Sequence, residues 1–183
     1  MGRPKNFNRT EVLEKAMPLF WKRGFADTGL QDLEKATGVN KSGLYTEFKN
    51  KEDIFLESLR HYSLTRKGRG LLSELPLGWD NVERFLKYRM VNKVGMKGCF
   101  AVNSMRELEL LPAQGREIVA EHMGALKKLV LENIAAEKTG MAPKQLAEIT
   151  MTFFSGLCIE ENLKAGKAQV PTVQAFMRFL RSA

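Results

Sequence analysis

Asn40, Lys41, Ser42 and Tyr45 bring an amide, an ammonium, a hydroxyl and a phenol into one short run of the chain. Each can hydrogen-bond the edge of a base or a phosphate oxygen. In a helix over 40–48 they share one side, and Leu44 and Phe48 take the other. A helix of about two turns with small polar and basic residues outward suits the major groove of duplex DNA. Asn40, Lys41 and Ser42 are the candidates for base edges, and Thr28, Tyr45 and Lys51 for phosphates. Gly43, which has no side chain, is expected to let the helix approach closely.

The elements that must position these groups are marked around them. Thr28 reads as the N-cap of a helix carrying Leu30, Leu33 and Ala36, with Gln31 completing a capping box. Gly38 ends that helix, and Asn40 caps the next, with Val39 and Leu44 paired as a hydrophobic staple. Upstream, a first helix starts near Asn8, with Glu11 at its third position and Phe7 and Val12 placed for a staple. Leu13, Ala16, Met17 and Phe20 recur on one face; Pro18 is expected to bend this helix and Gly24 to close it. Two short helices joined by a tight turn and backed by a third make a helix-turn-helix. Downstream, Asn50 caps a fourth helix over 51–66 whose inner face is Ile54, Phe55, Ser58, Leu59 and Tyr62. Lys51 opens it, with both its charge and the helix dipole available to a phosphate. Ahead of everything, Gly2-Arg3-Pro4-Lys5 is a basic arm, Arg3 and Lys5 being suited to a minor groove.

The run Phe20, Gly24, Thr28, Asp32, Leu33, Gly38, Val39, Leu44, Tyr45, Phe48, Lys51 and Glu52 resembles the DNA-binding domain of TetR-family (TetR/AcrR-type) transcriptional repressors, densely over about residues 9–60. Gly29 departs from the family's usual Ser or Thr, leaving its backbone N–H as the possible phosphate donor. A second likeness lies in Gly98-Cys99-Phe100-Ala101-Val102-Asn103, a run that opens a helix in many members. The resemblance implies an all-α fold: a three-helix DNA-binding domain over 1–50, then a helical effector-binding and dimerisation domain over 51–183, about nine helices in all. Residues 51–67 would be the connecting helix. It also implies a homodimer joined by a four-helix bundle of the last two long helices, and release from a palindromic operator when an effector binds. Helices that surround a cavity in this fold would carry Tyr62, Phe85, Tyr88, Met90, Phe100, Met105, Met123 and Phe153. Met and aromatic residues suit flexible apolar ligands, although at helical spacing they serve equally as core.

Composition narrows the classes. Hydrophobic residues make up 44% of the chain, enough for a packed core at 183 residues. No apolar run approaches the roughly 20 residues that span a bilayer, and the N-terminus lacks a signal-peptide core, so a cytoplasmic location is expected. The net charge of +8 is spread evenly: residues 1–66 hold 12 of the 29 basic and 9 of the 21 acidic residues. The case for DNA therefore rests on local patterning. Cys99 and Cys158 are too few for a disulfide scaffold or a cysteine zinc site, and no metal site or cofactor is expected. Cys99, at a helix start and near Lys97, is the candidate for a thiol sensing an electrophile, oxidant or soft metal; a small buried hydrophobe is the alternative. No phosphate loop, HExxH or nucleophile elbow is present, so the chain is not expected to be an enzyme. Glu107/Glu109 and Glu160/Glu161 read as solvated.

The remainder reads as helices. Residues 67–80 form the expected loop, and Asp80 caps a helix to about Val94 with a basic, solvated run of Arg84, Lys87, Arg89, Lys93 and Lys97. Pro112 ends the helix from Gly98, and another then runs to about Glu137. The helix over 143–165 is apolar on two faces, Leu146, Ile149, Phe153 and Leu157 on one and Ala147, Met151, Phe154 and Cys158 on the other. Two apolar faces need two covers, and the second is expected to be another subunit. Met151, Phe154 and Cys158, with Phe176 and Leu180 of a last helix over 173–180, are the expected interface. A non-specific architectural DNA-binding protein is the reading from a different class.

Overall fold

The computed structural model describes residues 7–88, 96–111, 113–163 and 169–183. Arg3 and Lys5 of the arm, Met90, Arg89 and Lys93 of the basic run, and Pro112 lie outside the described residues. All regular structure among the described residues is helical: α1 Arg9–Arg23, α2 Leu30–Thr37, α3 Lys41–Glu47, α4 Lys51–Thr65, α5 Lys67–Leu72, α6 Trp79–Tyr88, α7 Phe100–Ser104 with a 3-10 turn Met105–Glu107, α8 Ala113–Ala135, α9 Pro143–Glu160 and α10 Val170–Ser182. The chain forms two compact units, Met1–Thr65 with Asn103–Val119, and Arg66–Val102 with Ala120–Ala183.

The first unit is built from local signals. Asn8 caps α1 by accepting the Glu11 N–H at 2.8 Å, and α1 continues through Pro18 to close on Gly24. Asn50 does the same for α4, accepting from Asp53 at 2.8 Å. The apolar faces of α1 and α4 meet in edge-to-face aromatic pairs: Phe20 on Phe55 and Trp21 on Tyr62, each with centroids 5.1 Å apart. Such pairs add about 0.5–1.5 kcal/mol beyond area burial. Tyr62 thus fills the core beside Trp21 within this unit, a packing role for a residue expected to line a cavity.

In the second unit, the stretch expected as a loop contains α5, a separate helix set off from α4 by extended backbone at Arg66. Gly68 places it against the Phe85 ring. The turn after it is organised by buried amides. Asn133 donates to the Leu72 and Leu129 carbonyls (2.7 and 2.8 Å) and accepts from Gly78 at 3.0 Å. Asn81 donates to the Glu74 and Pro76 carbonyls. Through these contacts the two amides serve backbone groups of the turn. Helix α6 begins at Trp79, one residue before the expected cap, and Asp80 lies in its first turn.

Helix α9 does have two apolar sides, but its orientation differs from expectation. Met151, Phe154 and Cys158 are buried within the unit, as is Leu180 of α10. Their side chains are covered by the chain's own residues. The exposed row is Ile149, Ile159 and, just past the helix end, Leu163, the last two at 50% and 78% exposure. Phe153 and Phe176 continue that row, their rings stacked with centroids 3.8 Å apart, and Phe179 beside them is 45% exposed. Phe153 therefore belongs to this open face and Phe154 to the core, where it stacks on Phe85 at 4.9 Å.

Candidate nucleic-acid interface

Helices α2 and α3 pack through Leu33, Thr37, Val39 and Leu44, all buried. Gly38 makes the turn between them in the left-handed conformation at φ 74°, its N–H donating to the Glu34 carbonyl. Asn40 caps α3, its side chain accepting the Gly43 N–H at 2.8 Å, and the Glu34 carboxylate accepts the Lys41 N–H. The far end of α3 is tied to α1: the Arg9 guanidinium donates to the Glu47 carbonyl and lies 4.2 Å from the centre of the Phe48 ring. Held at both ends, α3 turns Asn40, Lys41, Ser42 and Tyr45 to solvent. Tyr45 is 39% exposed, an unusual placement for a ring that packing does not need elsewhere. These four residues are on one surface, as their spacing predicts. Thr46, one turn beyond Ser42, is exposed with them, donating to the Ser42 carbonyl at 2.8 Å. Helical spacing from Ser42 was sufficient signal to find it.

Three other residues take different parts. The N-cap of α2 is Gly29, one residue later than expected, with the Asp32 carboxylate accepting the Gly29 N–H at 3.0 Å. That N–H is therefore already used and is not a free phosphate donor. The Gly29 N–H, and after it the Arg23 guanidinium at 2.7 Å, hold the Asp32 carboxyl below its ordinary value. Thr28 is fully buried, its hydroxyl donating to the Gly24 carbonyl at 2.7 Å, so it braces the turn from within. Gly43 is glycine for an internal reason. A Cβ there would sit 2.8 Å from Val39 Cγ1 and 3.3 Å from Phe7 Cε1, so the protein's own side chains also favour glycine at this position.

Lys51, the first residue of α4, is engaged. Its ammonium donates to the Phe25 carbonyl at 3.0 Å and lies 4.2 Å from the centre of the Phe25 ring. Two of the carboxylates expected to be solvated are also engaged. Glu107 accepts the Phe25 and Ala26 N–H groups, and Glu161 is buried, accepting the Gly98 N–H at 2.8 Å.

In the second unit, Phe85, Cys99 and Phe100 are buried, and Tyr88 and Met123 are half-buried; Met105 of the first unit is half-buried too. Cys158 is buried like Cys99. A cleft of about 760 Å³ opens elsewhere in the second unit, between the turn Leu75–Asn81, the polar side of α6 at Glu83, Arg84 and Lys87, and Glu137 and Arg181, and none of the expected cavity residues lines it. Of its charges, Arg84 pairs with Glu74 outside the lining, Lys87 with Glu83, and Arg181 with Asp80 and Glu83, while Glu137 accepts the Trp79 N–H at 2.9 Å. Among the described residues no group of His, Cys, Asp and Glu is arranged to hold a metal ion, and no helix is long and apolar enough to cross a membrane.

A capped, exposed polar helix seated on a second helix by a tight glycine turn has the geometry of a helix-turn-helix. Residues 12–58 match the family model for bacterial regulatory proteins of the tetR family. Over this domain the chain is similar to the TetR family of bacterial regulatory proteins. It is 51% identical over 61 residues to the HTH-type transcriptional repressor ComR of Escherichia coli, 33% of this chain and 29% of that protein. It is 31% identical over 113 residues to the uncharacterized regulator YezE of Bacillus subtilis, 58% of each. The chain thus spans less than two thirds of these relatives' lengths. Across nearly the whole chain the fold matches that of the TetR-family regulator CifR, a cysteine mutant solved with a 26-bp double-strand operator DNA: TM-score 0.80 at 23% identity, covering 96% of this chain and 98% of that one.

Proposed function

We propose that the protein is a dimeric transcriptional repressor that binds a palindromic operator through α3 and is released from it by a small-molecule effector. The observation that carries this reading is the exposed set Asn40, Lys41, Ser42 and Tyr45 on a helix whose Leu44 and Phe48 are buried. Asn40, Lys41 and Ser42 meet base edges; Tyr45, Thr46 and Lys51 meet phosphates, and Arg3 and Lys5 follow the minor groove. The functional division falls at 50/51, with α4 as the connecting helix. Phe85, Phe100 and Met123 are the candidate effector-lining residues of the second unit. The relatives described as repressors support the regulatory role, and the open row Ile149, Phe153, Ile159, Phe176 and Phe179 supports a second copy as its cover.

Two heads related by a two-fold axis read two half-sites about one helical turn, roughly 34 Å, apart. An effector releases DNA only by binding more tightly to a dimer whose heads are wrongly spaced. Selection of bound fragments from genomic DNA tests the reading. A repressor enriches one short palindrome; equal recovery of random fragments at physiological salt refutes the specific role in favour of a non-specific one. The location that follows is the cytoplasm, where that DNA lies.

A further inference from the structure

The turn between α1 and α2 is held from two sides by charged groups that the helix-turn-helix itself does not supply. On one side, the Phe25 and Ala26 N–H groups donate to the two oxygens of Glu107, at 2.8 and 3.0 Å. On the other, the Phe25 carbonyl accepts from the Lys51 ammonium at 3.0 Å. Gly24, at φ 88°, packs so closely on the Glu107 carboxylate that a Cβ would overlap it. A carboxylate that receives two adjacent N–H groups, one on each oxygen, fixes the orientation of the two peptide units that carry them. From this turn the contacts continue into the reading head. Thr28 donates to the Gly24 carbonyl, Gly29 to Asp32, and Glu34 receives the Lys41 N–H at the start of α3.

We propose that Glu107 is a positioning residue for DNA recognition: it sets the turn from which α2 begins, and so the seating of α3 and of Lys51. This rests on the DNA-binding reading above. Glu107 ends the 3-10 turn that follows α7, more than 80 residues beyond its partners. Its segment, Asn103–Val119, nevertheless belongs to the first compact unit. The Glu107 carboxylate is thus a route by which a displacement of that segment reaches the turn ahead of α2, without any change in the residues that face DNA.

The test uses the full-length protein as wild type, Glu107→Gln, Glu107→Ala and the neighbouring Glu109→Ala, Glu109 being 88% exposed. Three quantities are measured: amide exchange at Phe25 and Ala26, the melting temperature, and affinity for the duplex that the wild type selects. Glu107→Gln and Glu107→Ala are expected to speed exchange at both amides at least tenfold. They should weaken the duplex about tenfold or more in protein that remains folded, while Glu109→Ala changes neither. Faster exchange with affinity within twofold of wild type overturns the positioning role, as does a loss of affinity that tracks only the unfolded fraction. Unchanged exchange overturns the clamp itself. A wild type that selects no duplex removes the DNA reading and the proposal with it, and the exchange data then still report whether Glu107 holds the turn.

Discussion

Replacing Gly43 by Ala separates two reasons for a glycine on the recognition helix. The added Cβ would lie 2.8 Å from Val39 Cγ1, 3.2 Å from Asn40 Oδ1 and 3.3 Å from Phe7 Cε1. Carbon atoms rest about 3.5–4.0 Å apart, so the overlap with Val39 is of the order of 1 Å. Val39 is buried and β-branched, with little rotamer freedom to yield. Overpacking of this kind costs about 1–3 kcal/mol. Against it stands the helix propensity of Ala over Gly, about 0.8–1.0 kcal/mol. The midpoints of the two ranges, about 2 and about 0.9 kcal/mol, leave a net loss of about 1 kcal/mol, or roughly 2–4 °C in melting temperature at this chain length. Thermal or urea melts of the free protein, with no DNA present, measure it. A variant as stable as wild type, or more so, refutes the packing argument; a loss confined to DNA affinity restores the original idea that Gly43 admits the groove.

Ile159→Glu puts a charge on the open row of α9, and the expected result is a monomer in sedimentation or light scattering, with operator affinity reduced by about two orders of magnitude. Met151→Ala empties a position inside the unit instead. It should cost about 2–5 kcal/mol of stability and leave the oligomeric state unchanged. Lys51→Ala is expected to lower the slope of log affinity against log salt by about 0.9 at every sequence tested, and a change in sequence preference would contradict its phosphate role. Asp32 has a folded-state pKa below the ordinary 3.8, so its contribution to stability is present above that value and is lost as pH falls through the depressed one. Wild type should therefore lose more stability than Asp32→Asn on acidification below about pH 4, which melts across a pH series will show.

What the sequence determined by itself is whatever is closed within three or four residues. The caps at Asn8, Asn40 and Asn50 and the stops at Gly24 and Gly38 appear where the spacing predicts them, because donor and acceptor lie in the same helical turn. The exposed face of α3 follows from its buried face by helical geometry alone. Even here the margin is narrow: the choice between Thr28 and Gly29 as N-cap was decided by Thr28 turning inward to Gly24. Tertiary structure decided the rest. Both faces of α9 are apolar, and only packing within its unit shows that Met151, Phe154 and Cys158 face in while Ile149 and Ile159 face out. At Gly43, only the fold shows that Phe7 and Val39 pack where a side chain would stand. Glu107 carried no signal, since a carboxylate in a helical turn reads as solvated unless distant backbone N–H groups are known to reach it. Periodicity identifies which sides of an element are apolar or polar; which partner meets each side depends on contacts between residues far apart in the chain.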